Sequence, residues 1–223
     1  MLRAMSDIDF DSALIASFFR MVADKGWSRA NVAEAARVAA LPLPEARVRF
    51  PGRIAVLLRL VRLADQAALA DVPANGAVRD KLFDLLMRRF DVLQVHRPGV
   101  AALLRTLPSD PPTMLLLACA TRRSMRWMLQ AAGVSTTGLR GKLRIRGLIA
   151  VWLWTLRAWE RDESADLSGT MAALDAALRR AERLATWLGG GAGSGPEAAP
   201  EEGVSAADPD TEPPAPLPEA PAA

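Results

Sequence analysis

From residue 7 to residue 188 the large apolar residues recur at steps of three and four, and no stretch alternates apolar with polar residues as a half-buried strand would. That pattern admits helices and little else, so the fold class expected is all-α. Proline, glycine and short polar clusters cut the pattern into nine segments. The spacing predicts helices over 7–24, then one opening at Ser28 and carrying Val32, Ala35, Ala36 and Ala39, then 44–50, 53–70, 78–96, 100–107, 113–132, 139–161 and 167–188. The run 114–120 is almost wholly apolar, which argues for a centrally buried helix. Beyond residue 188 the chain turns to Gly, Pro, Ala and Glu. Too few apolar residues remain there to offset ordering entropy, so 189–223 is expected to be a disordered tail.

The stretch 26–53 is the most informative of these segments. Gly26 ends the first helix, Ser28 caps the second, and Trp27 is placed as a hydrophobic staple. Pro42 and Pro44 stop that helix, with Pro44 suited to the first turn of a third. Pro51-Gly52 then leads into a long fourth helix beginning at Arg53. Two short helices and a tight turn form the layout of a helix-turn-helix, a motif that recognises a partner and does not transform it. Across residues 37–62 six arginines (37, 47, 49, 53, 59 and 62) face one acid, Glu45.

Charge supports the same direction. All 28 Lys and Arg precede residue 189, where 18 acids accompany them, giving +10; the tail carries −7. A basic body suits a polyanion, although Arg also solvates helix faces with no partner at all. Chemistry is thinly represented. His96 is the only histidine and Cys119 the only cysteine, which leaves no triad, no metal cluster and no disulfide. Cys119, inside the apolar run, reads as a core residue, and His96 as a helix-terminal ring favoured by the dipole. The run 133–142 lacks the Lys and the preceding strand of a phosphate loop, and Asp162, Glu163 and Asp166 sit where acids favour the next helix N-terminus. The expectation is a protein that is not an enzyme, with no cofactor. No segment reaches the ~20 apolar residues of a membrane span and none resembles a secretory signal, so the location expected is cytoplasmic, without integral membrane association.

The layout resembles the TetR family of bacterial regulators over residues 6–188. The chain supplies Gly26, Ser28, Val32-Ala33, Ala35-Ala36, Phe50 and Arg53 at the family's places, and departs from it with Ala40 for the turn glycine, Pro42 for the capping serine and Arg47 for the DNA-facing tyrosine. The resemblance implies a helix-turn-helix unit over 1–53 and a ligand-binding and dimerisation domain over 54–188. It implies operator DNA as a partner, with Ser28, Arg37, Arg47, Arg49 and Arg53 at the DNA. It implies an apolar small-molecule or lipid effector among Phe90, Leu104, Met114, Leu117, Met125, Trp127, Met128 and Trp152. Spacing alone reads these eight equally well as packed core. It further implies a homodimer through Trp152, Leu156, Trp159, Leu174, Leu178 and Leu188, the alternative being that these residues cover the body of their own subunit. The chain is also similar, in 26–28, 50–52 and 159–175, to an accessory family of ubiquinone biosynthesis that reuses the TetR fold to hold a lipid, but it has no tyrosine, and its acidic, Pro-rich sequence beyond 188 does not read as that family's C-terminal amphipathic helix. That resemblance implies a lipid-binding accessory protein that does not bind DNA.

Overall fold

The computed structural model describes residues 7–189, except for the side chains of residues 8 and 187–189. The expected tail beyond Gly189 and the side chain of Leu188 therefore lie outside the described residues. Among the described residues there are nine α-helices and no strand: α1 (Asp7–Lys25), α2 (Val32–Val38), α3 (Leu43–Arg49), α4 (Arg53–Leu69), α5 (Val78–Val95), α6 (Arg97–Thr106), α7 (Pro111–Ala131), α8 (Gly138–Arg161) and α9 (Ser168–Gly189). Short 3-10 turns occupy Trp27–Arg29 and Leu107–Ser109.

Helix α1 organises the N-terminal half. Phe10, Leu14, Ile15, Phe18 and Val22, at steps of three and four, are all buried, and the helix packs against α2, α4 and α6. Trp27 closes its C-terminal end, edge-on to Phe18 with ring centroids 5.9 Å apart. The second helix begins later than its predicted cap. Ser28 lies exposed in the 3-10 turn, and Asn31 is the N-cap, its side chain accepting from the backbone of Ala33 at 2.8 Å and Glu34 at 3.4 Å. The break between α5 and α6 falls at His96, and Pro98 sits in the first turn of α6, a position where its missing N–H costs nothing. Gly99 then meets α1 so closely that a Cβ would lie 2.1 Å from the Phe19 carbonyl oxygen, which excludes every other residue there.

Helix α4 leads from this unit into the body, burying Val56, Leu57, Leu60, Ala64 and Ala68 against α5 and α7. A polar tie fixes its far half. Asp65 forms an ion pair with Arg89 of α5 and accepts from Ser124 Oγ of α7 at 2.7 Å, while the Arg89 guanidinium lies 4.9 Å from the Trp152 ring of α8. Arg89 is 3 % exposed, and burial pushes its guanidinium down to about 10.

Helix α7 departs from expectation. Its covered stripe is Thr113, Leu117, Ser124, Met125, Met128 and Leu129, whereas Met114, Leu115, Leu116 and Cys119 are exposed. The apolar run encircles the helix, but neighbours cover only one side of it, and two polar residues, Thr113 and Ser124, lie on that side. The expectation of central burial for 114–120 and of a core Cys119 is therefore wrong. Helices α8 and α9 pack on each other, burying Ile145, Leu148, Val151, Trp152, Thr155 and Trp159 from one and Thr170, Leu174, Ala177 and Leu178 from the other. Asp162 links them as the spacing suggests, accepting from Thr170 N at 2.6 Å and Thr170 Oγ1 at 2.7 Å; with Ser164 these bonds hold its carboxyl far below the usual carboxylate range.

Candidate nucleic-acid interface

The α2–turn–α3 unit is built on a Schellman close. Leu41 N donates to Ala36 O at 2.8 Å and Ala40 N to Arg37 O at 3.1 Å, which places Ala40 in the left-handed region at φ 54°. The same device ends α7, where Gly133 occupies the equivalent position at φ 82°. Pro42 is the N-cap of α3 and provides no side-chain bond, so the first N–H groups of α3 have no cap from their own segment.

Of the five residues expected at DNA, the structure leaves two on the outer surface of α2 and α3. Arg37 and Arg47 are exposed, and Arg47 Nη1 donates to the Pro51 carbonyl at 3.0 Å across the end of α3. Ser28 is exposed as well, but its carbonyl oxygen faces Arg53 Nη1 at 3.4 Å. Arg49 turns inward: it pairs with Asp7, with Glu45 at 2.6 Å and with Asp11 at 3.5 Å, and its guanidinium lies 4.7 Å from the Phe10 ring. Arg53 lies 5.5 Å from the Trp27 ring and 3.6 Å from Asp110, the residue that caps α7 and accepts from Trp27 Nε1 at 3.1 Å. Arg59 is bound to Asp11 at 2.6 Å. Arg49 and Arg53 are therefore engaged by acids and rings of their own chain, unlike the outward Arg37 and Arg47. The acids that neutralise them, Asp7, Asp11 and Asp110, lie outside the window in which the arginines outnumber acids. Glu45 lies inside it, one helical turn before Arg49, and was the one legible signal.

The rest of the outer face is apolar. Val48 is 83 % exposed, Val38 65 % and Leu43 42 %, flanking Arg47. Beside them Asn31, Val32, Leu43, Arg47, Phe50 and Arg53 line an open cleft of about 450 Å³.

The other predicted sites are dispersed. Phe90, Met125, Met128 and Trp152 join one core, with Phe90 stacked on Trp152 at 4.5 Å; Leu104 and Leu117 are half-buried, and Met114 and Trp127 are exposed, so the eight do not line a common cavity. Trp152, Trp159, Leu174 and Leu178 are buried in their own subunit and Leu156 is partly buried there. Trp159 is fixed inside, its Nε1 donating to Gln94 Oε1 at 2.9 Å and its carbonyl accepting from Arg97 at 2.9 Å. They are core residues of this chain and not the outer seam expected of them. His96 is half-buried and stacked on Phe19 at 5.8 Å, and burial lowers its pKa, which favours the neutral ring over the protonated one expected. No group of side chains among the described residues has metal-ligating geometry.

The chain matches no known family profile and no curated protein. Its fold does match solved structures. It resembles a TetR transcriptional regulator from Nitrosomonas europaea with a TM-score of 0.65 and 19% identity, covering 78% of this chain and 98% of that one. It also resembles a TetR-family transcriptional regulator from Streptomyces coelicolor with a TM-score of 0.58 and 19% identity, covering 82% of this chain and 85% of that one. The nine-helix arrangement is the TetR fold.

Proposed function

We propose that the protein is a TetR-like transcriptional regulator that binds operator DNA through α2 and α3 of two subunits. The observation that carries this reading is the α2–turn–α3 unit itself: a Schellman close and a tethered Arg49 set α3 on the surface with Arg37 and Arg47 outward. Two arginines per subunit make a sparse reader, and Arg47 is the side chain suited to a guanine edge or a phosphate. Val38, Leu43 and Val48 beside it suit thymine methyl groups. Division at Arg53 makes residues 1–53 the reading head and 54–188 the body.

In this reading the two copies associate through the outer faces of α8 and α9. Leu143, Gly147, Ala150 and Trp154 form an exposed strip on α8, beside Arg180 and Leu184 of α9. An apolar effector would separate Phe90 from Trp152, with Met125 and Met128 adjusting around it. Movement there would reach α4 through Arg89 and Asp65, and α4 carries the reading head.

Titration of a fluorescent fragment of the flanking promoter tests the reading. The wild type should bind with a slope of log K against log salt of roughly −4, from two phosphate-contacting arginines per subunit at about −0.9 each. Exchanging Arg37 and Arg47 for Ala should abolish binding while thermal stability is retained. Unchanged affinity in that variant would refute the placement of the reader.

A further inference from the structure

The outer face of α7 finds no partner within the subunit and has a composition of its own. Leu115, Cys119, Arg122 and Arg126 follow at steps of four, three and four and share one face, with Leu116, Arg123 and Trp127 beside them. All seven are exposed, Leu115 at 67 % and Trp127 at 53 %. The face is thus apolar near the N-terminal end and cationic near the C-terminal end. The sequence that forms α7 and most of α8 carries no compensating charge: residues 111–159 contain eight Lys or Arg and no Asp or Glu. Asp110, at the start of α7, is engaged by Thr113, Trp27 and Arg53.

We infer that the α7 face docks on an anionic bilayer surface, its leucines entering the boundary between headgroups and acyl chains and its arginines lying among lipid phosphates. The combination of exposed Leu and Trp with three Arg on one helix, too charged to span a bilayer, is that of an interfacial helix. No helix among the described residues is long and apolar enough to cross a membrane, so the contact is peripheral. Each added cation near an anionic leaflet contributes about 1 kcal/mol, which makes the acid-free stretch a substantial attraction.

Other occupants fit less well. A second copy placed about a twofold axis at Cys119 would set Leu115 and Leu116 against Arg123 and Arg122, and an axis nearer the arginines would set them against their own images. The chain's acidic tail, residues 190–223, matches the charge but offers only Val204 and Leu217 as large apolar residues, leaving Leu115 and Leu116 in water. Duplex DNA matches the arginines and leaves the leucines unused.

The test uses the full chain with an environment-sensitive fluorophore on Cys119, the only cysteine, which lies in the middle of the face. Vesicles of phosphatidylcholine with phosphatidylglycerol should bind the protein and brighten the probe; vesicles of phosphatidylcholine alone should do neither. Leu115→Ser with Leu116→Ser should weaken vesicle binding by about tenfold or more. Since both side chains already face water, melting should be unchanged, and so should operator affinity, which separates this inference from the regulator reading. Arg122→Glu with Arg126→Glu should also release the protein from vesicles. Equal binding to neutral vesicles overturns the proposal, as does anionic binding that survives the serine variant with a silent probe. So does displacement of the vesicles by duplex DNA that depends on the arginines alone, which would make the face a phosphate surface.

Discussion

Ala40 stores strain that a single substitution should release. A non-glycine residue at φ 54° costs about 1 kcal/mol relative to its relaxed conformation, and glycine removes that cost. Glycine also gives the unfolded chain more freedom, worth roughly half as much, so Ala40→Gly should stabilise the protein by about 0.5 kcal/mol. For a chain of this size that corresponds to a rise in Tm of roughly 1–2 °C, measurable by calorimetry. His96 gives a second prediction at this scale. Its folded pKa is below 6.5, so between the two values the unfolded state binds more protons, and stability falls as pH drops through that window. Titrating stability from pH 7.5 to pH 5 should therefore show a loss that His96→Gln reduces, the carboxylates contributing equally to both proteins. A loss of the same size in both would place the ring in solvent. Ala40 was legible as a turn position only through the resemblance, which puts a glycine there. The inward turn of Arg49 could not be read from the sequence, because two of its acid partners lie 42 and 38 residues away.

Element boundaries were largely legible, and the burial of their faces was not. The predicted segments match α1, α3, α4, α5, α8 and α9 to within a residue or two, because proline, glycine and capping residues act over a few positions. The sequence misplaced the start of α2, where Trp27 enters the core and draws Ser28 into a 3-10 turn, leaving Asn31 to cap. Helix α7 shows the limit more sharply. An amphipathic helix announces its buried stripe by contrast with its polar side, and the segment 114–120 has no contrast to read. Only the placement of α4, α5, α8 and the 107–109 turn decides which side is covered. The consequence can be checked with a thiol reagent. Cys119 should react in the native state as fast as in denaturant, since it is exposed on α7. A slow phase that disappears only on unfolding would return it to the core.

At the scale of the whole molecule, the proposed dimer turns on which apolar residues hold one chain together and which would join two. Trp159 is 0 % exposed, donates to Gln94 and has its carbonyl bound by Arg97, which lies 5.2 Å from its ring; every one of these contacts is internal. Trp159→Ala should then cost about 3–5 kcal/mol, and the loss should not depend on protein concentration, because nothing of the partner is removed. Leu143 is 50 % exposed, so Leu143→Glu should leave the monomer's fold intact. If α8 and α9 join the copies, that variant should sediment as a monomer where the wild type sediments as a dimer, and its Tm should lose its dependence on concentration. Operator affinity should fall with it even though Arg37 and Arg47 are untouched, because one reading head carries only half of the phosphate contacts. A Leu143→Glu protein that remains dimeric would place the interface elsewhere, and a concentration-dependent loss in Trp159→Ala would show that the tryptophan supports the partner as well as its own core.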